Sequence, residues 1–205
     1  MVTARDFVAR FAEAYAECRG CFPDRDQWNL VWTTHWNRFV LWNPVAPQTK
    51  PLLRLVAEKL DLVWWDREPF RLDGAMVPAD HRVVGSCPLP LLVGVEHEND
   101  LRTFVQEILK LVHVICPLKV GITYLVAGTA PPSSVAVSDS QNQIRRLAQT
   151  ALSDRNQHVR EDPATEYLYL LGVESQMREC EWSALTFTAA AGPGTAVWSA
   201  LPPPG

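Results

Sequence analysis

The sequence reads as a single α/β domain in which a mixed central β-sheet is flanked by helices. Three observations lead there. Residues 91–95 are an apolar run that ends abruptly in acids, as a buried strand does at its edge. Leu101, Phe104, Val105, Ile108, Leu111, Val112 and Ile115 then recur at helical spacing. Residues 118–125 return to β-branched and apolar side chains, after Pro117 has stopped the helix. Strand, helix and strand in that order are the layers of an α/β fold.

The flanking elements follow from the same patterns. Thr3 can cap a first helix whose stripe is Phe7, Val8, Phe11 and Tyr15 and which ends near Gly20. Cys18 and Cys21 straddle that end as a lone CxxC with no second ligand pair, so they read as free thiols. Residues 26–42 put Trp28, Trp32, Trp36 and Phe39 or Val40 on one helix face, though their β-branched and aromatic content also suits a strand; the Trp28–Trp42 stretch is expected to be mostly buried. Thr49 can cap a short helix through Lys59, with Pro51 in its first turn and Leu52, Leu55, Val56 and Leu60 inward. Residues 60–66 and 70–77 read as a strand pair broken by Arg67-Glu68-Pro69, and 78–88 as a Pro-rich loop. Asn99 or Asp100 can cap the central helix. A helix over 141–152 has Ile144, Leu147, Ala148, Ala151 and Leu152 on one stripe, and 166–173 and 182–189 read as two further strands. The domain is expected to span 1–191, with its core at about 50–126, and 192–205 to be a loose tail.

Composition narrows the class. With 205 residues, 47% apolar and 20% charged, the chain has room for one full core. A net charge of −4 disfavours a surface coated in basic residues for nucleic acid, though a local groove is compatible with it. The N-terminal residues are charged throughout and resemble no signal peptide, and the most apolar stretch, 108–126, holds Lys110, His113, Pro117 and Lys119, so no membrane span is expected. Five scattered cysteines fit a reducing cytoplasm. Phosphate-loop, dinucleotide and serine-hydrolase motifs do not occur, and the five histidines are far apart.

The acids are better organised. Glu96 and Glu98 share one face of their strand and His97 takes the other, while Asp73 precedes Gly74 on the neighbouring strand. Carboxylates held together at the end of a buried strand repel unless a proton or cation sits between them. They can also form a solvated edge with a helix cap, and Asp-Gly is a common turn pair.

Helix, strand, strand with Asp73, strand with Glu96-His97-Glu98, helix, strand: this order resembles the PD-(D/E)xK, or restriction-endonuclease-like, nuclease superfamily. The resemblance covers about residues 50–126, on a short motif. It implies that Asp73 and Glu96 are metal-binding and catalytic. Glu98 falls where the family usually has Lys, and members with Glu there exist, so Glu98 joins the expected set. Glu58 matches an acid that some members place on the preceding helix, and Lys110 or Lys119 can stand in for the missing Lys. The implied function is Mg²⁺- or Mn²⁺-dependent phosphodiester hydrolysis, with DNA as substrate. The alternative is a catalytically inactive domain of that fold whose Trp-rich N-terminal half binds a protein partner or a second copy.

Overall fold

A computed structural model describes residues 1–21, 50–85, 87–125, 131–158, 161–174 and 180–201. The Trp28–Trp42 stretch and Thr49 lie outside the described residues. The described chain runs α1 (Ala4–Gly20), α2 (Leu52–Lys59), β1 (Val63–Trp65), a 3₁₀ turn (Pro69–Arg71), β2 (Gly74–Val77), β3 (Arg82–Val84), β4 (Cys87–Leu89), β5 (Val93–Glu98), α3 (Phe104–His113), β6 (Leu118–Leu125), α4 (Ser134–His158), β7 (Glu166–Glu174), β8 (Cys180–Thr188) and β9 (Trp198–Ala200). Seven strands form one sheet in the order β1-β2-β5-β6-β7-β8-β9, and β3 pairs with β4 apart from it. β5, β6 and β7 are parallel, and the pairings on either side of them are antiparallel. The fold is therefore mixed α/β. No helix among the described residues is long and apolar enough to cross a membrane.

The three parallel strands are covered on both faces, which is why they are nearly continuous apolar runs. One face carries Val93, Val95, Leu118, Val120, Ile122, Leu168 and Leu170 and packs on α1 and α2. The other carries Tyr167, Tyr169 and Leu171, is extended by Ala75 of β2 and by Leu72 just before it, and packs on α3 and α4, the two parallel crossovers. Thr3 closes a capping box with Asp6 at the start of α1, as its position suggested.

Several boundaries differ from the sequence reading. Asp73 sits in the bend one residue before β2 rather than within the strand. The alternation of Phe70 to Asp73 mimics a strand, but Phe70 and Arg71 have φ of 56° and 65°, and the chain turns there. The expected Pro-rich loop contains the β3–β4 hairpin. α2 follows Pro51 without a side-chain cap, and α3 starts after Thr103, three residues beyond Asp100. α4 is 25 residues long, because its first turns are largely exposed and carry no apolar stripe. The expected tail contributes β9, which pairs Ser183, Ala184 and Leu185 of β8 with Ala200, Ser199 and Trp198.

Candidate metal centre

β2 enters the sheet at Gly74, opposite Val95. A Cβ at Gly74 would lie 2.2 Å from the Trp64 ring, so only glycine lets β1 fold its indole over this point. Asp73 is thereby delivered beside Glu96, and its Oδ2 accepts the His97 backbone N–H at 2.8 Å. Strand alternation turns Glu96 toward α3 and His97 toward α1 and α2. There His97 Nε2 hydrogen-bonds the Tyr124 hydroxyl, and burial pulls its pKa down to about 3, so the ring is neutral.

α3 adds two groups. Glu107 and Lys110 are three residues apart, on one side of the helix. Glu107 lies on the buried stripe with Phe104, Ile108 and Leu111 and is only 8% exposed. One carboxylate oxygen from each of Asp73, Glu96 and Glu107 lies within 4.8 Å of the others. Lys110 Nζ donates to Glu107 Oε2 and lies 3.4 Å from Glu96 Oε2. Glu96 is fully buried, and among the described residues no donor reaches its Oε1.

Like charges at that spacing repel by about 3 kcal/mol per pair at an effective dielectric constant of about 20. One ammonium does not balance three charged carboxylates. Burial, reinforced by the Glu107 hydrogen bond and the neighbouring acids, pushes the Glu96 pKa up to about 11, so Glu96 holds a proton. Burial also raises Asp73, against the His97 N–H that favours its charge. Lys110 stays cationic: burial opposes its charge, but Glu107 and Glu96 hold its pKa above the ordinary value. The close Lys110 contact answers the charge of Glu107.

Of the residues expected from sequence, Asp73, Glu96 and Lys110 come together. Glu98 does not join the three-carboxylate group: its Oε1 accepts the Asp100 N–H at 3.0 Å and closes the turn after β5. Glu58 bonds Lys50 and Arg54 on an exposed face of α2 and is also outside the group. Lys119 is buried elsewhere, its Nζ 2.8 Å from Glu161 Oε2 and 3.2 Å from the Tyr167 hydroxyl; Arg155 completes that cluster. The sequence reading missed Glu107. Its signal was an acid at i+3 from Phe104 and i−4 from Leu111, on the stripe that must be buried.

The donor set suits a hard cation. Three carboxylates offer only oxygen, Mg²⁺ and Mn²⁺ favour such ligands, and a cation there would take the place of the Glu96 proton between the acids. Comparison with protein-family models, with curated proteins and with solved structures finds no match to this chain.

Proposed function

We propose that the chain is a divalent-metal-dependent nuclease with a restriction-endonuclease-like core. The observation that carries this reading is the convergence of Asp73, Glu96 and Glu107, one carboxylate oxygen from each lying within 4.8 Å of the others. The order α2, β1, β2, β5, α3, β6, with β5 and β6 parallel and the acids at β2 and β5, is that expected of such a core. Asp73, Glu96 and Glu107 would hold Mg²⁺ or Mn²⁺. A bound ion would polarise a phosphodiester and ease deprotonation of the attacking water. Lys110, more than one-third exposed, supplies a positive charge at the same point, suited to the charge that develops on the phosphoryl oxygens. It takes the part of the motif lysine from the helix rather than from the strand.

A second reading draws on Lys110 as well. Its contacts with Glu107 and Glu96, together with a proton on Glu96, already relieve the repulsion without a metal. This is how a catalytically inactive nuclease-like domain serving as a protein-binding module would be arranged.

Thermal melting separates the two. On the nuclease reading, millimolar Mg²⁺ or Mn²⁺ raises the melting temperature by mass action, and Asp73→Ala abolishes the rise. The same ions should support nicking of supercoiled DNA by the native protein. A native melting curve indifferent to both ions rules out the metal centre and leaves the binding module.

A further inference from the structure

A cavity of about 870 Å³ adjoins the acidic group, and Lys110 belongs to both. Its walls are apolar, with Leu92, Val114, Ile115 and Pro117 among them, and Arg71, Lys110 and His113 set basic groups along the lining. Its acids are Glu161 and Asp162, and Glu161 is already bound to Lys119, Arg155 and the Tyr167 hydroxyl. The 3₁₀ turn that leads to Asp73 forms another part of the lining. Glu68, Phe70 and Arg71 there have φ of 45°, 56° and 65°, a left-handed stretch that costs on the order of 1 kcal/mol or more per non-glycine residue. That backbone holds the Phe70 ring at the cavity while leaving it 49% exposed, with Arg71 beside it.

We propose that this cavity binds an organic anion with an apolar body, which packs against Phe70 and places its anionic group at Arg71 and Lys110. Apolar walls remove the body from water, and the cations answer the head group. Two sources share this chemistry: a nucleoside monophosphate and a medium-chain fatty acid. On the nuclease reading, a nucleotide here is the one flanking the cut, with its phosphate at the ammonium that also faces Glu96 and Glu107.

Lys110 also couples the cavity to the acids, a step that rests on the metal reading. With a dication held by Asp73, Glu96 and Glu107, Lys110 would no longer serve as their counter-charge and would be repelled from them. The ammonium is then available to the cavity, so metal and anion should tighten one another's binding by the same factor.

Calorimetric titration of the native protein with thymidine 5′-monophosphate and with decanoate, each with and without Mn²⁺, tests the proposal. One anion is expected to bind, and Phe70→Gly and Arg71→Gln should each weaken it by about tenfold. Glycine suits the φ of 56° at position 70, so relief of the backbone strain offsets the entropy that glycine adds to the unfolded chain, and that variant should still fold. No binding of either anion, or both variants binding as tightly as the native protein, overturns the proposal. Melting of the same samples with Mn²⁺ reports on the metal separately. Anion binding that both substitutions weaken, together with a melting curve that ignores Mn²⁺, establishes the cavity site and removes the metal reading.

Discussion

Glu96 and His97 are neighbours on one strand, on opposite faces of the sheet, and burial shifts them in opposite senses along the pH axis. The Glu96 pKa rises from 4.5 to about 11, so the folded state keeps a proton that the unfolded chain releases. The stability this contributes is fully present below 4.5 and is lost as pH climbs toward 11. His97 falls from 6.5 to about 3, so its contribution is present above 6.5 and is lost as pH drops toward 3. The two slopes oppose one another between 4.5 and 6.5, with the raised Asp73 pKa acting in the same sense as Glu96 at the acid end; above 6.5 His97 no longer opposes the Glu96 loss, the lowered Lys119 pKa opposes it toward 10.5, and the raised pKa values of the buried cysteines add to it from about pH 9. The urea midpoint of the metal-free protein is therefore expected to fall between about pH 7 and about pH 9. Glu96→Gln should flatten that fall, since an amide stays neutral and its N–H groups find acceptors in Asp73 and Glu107. It should also weaken the response to Mn²⁺. A native midpoint that does not change over this range would mean that Glu96 is charged in the folded metal-free protein.

The centre depends on how closely α3 lies on the sheet, and Gly121 of β6 sets that approach. A Cβ there would lie 2.7 Å from the Tyr169 ring and 2.9 Å from the ring of Phe104, the first residue of α3. Gly121→Ala should cost about 1–3 kcal/mol through overpacking, read from urea unfolding. It should also reduce the Mn²⁺ response by lifting Glu107 and Lys110 from Glu96; an unchanged response would show that α3 adjusts without moving its acids. β5, α3 and β6 were legible in sequence because an apolar run and a helical stripe are local patterns, and Asp73 and Glu96 came with them. The rest was hidden for physical reasons. Glu107 breaks the rule that acids take the solvent side of a helix, and its burial is compensated from another residue of the same helix, Lys110. Glu98 shares a strand face with Glu96, but β5 ends there, and the turn it closes decides where its carboxylate goes. At the turn before β2, positive φ at Phe70 and Arg71 leaves no mark in the polar–apolar alternation.

The whole sheet is organised outward from its parallel centre. Lys119 of β6, Tyr167 of β7, Arg155 of α4 and Glu161 between α4 and β7 form one buried cluster that ties crossover and strands together. Lys119 is kept by that cluster, against a burial that lowers its pKa, which explains why a lysine can stand inside an apolar strand. Beyond this centre the edges need cover, because an open strand invites pairing with another chain. β9 supplies cover on the β8 side. Leu201 N–H donates to the Trp182 carbonyl at 2.9 Å, Arg145 of α4 donates to the Ala196 carbonyl at 2.9 Å, and Trp198 packs on the cluster holding Leu185 and Phe187. A Pro- and Gly-rich composition made this segment look detachable, although its three-residue strand has a defined register in the sheet. Truncation after Ala191 is therefore expected to lower the melting temperature by several degrees, as loss of about 1–2 kcal/mol does in a domain of this size. It should also promote self-association through the uncovered β8 edge, seen as larger species in light scattering. A truncated chain that stays monomeric and melts with the full-length protein would show that β8 needs no cover.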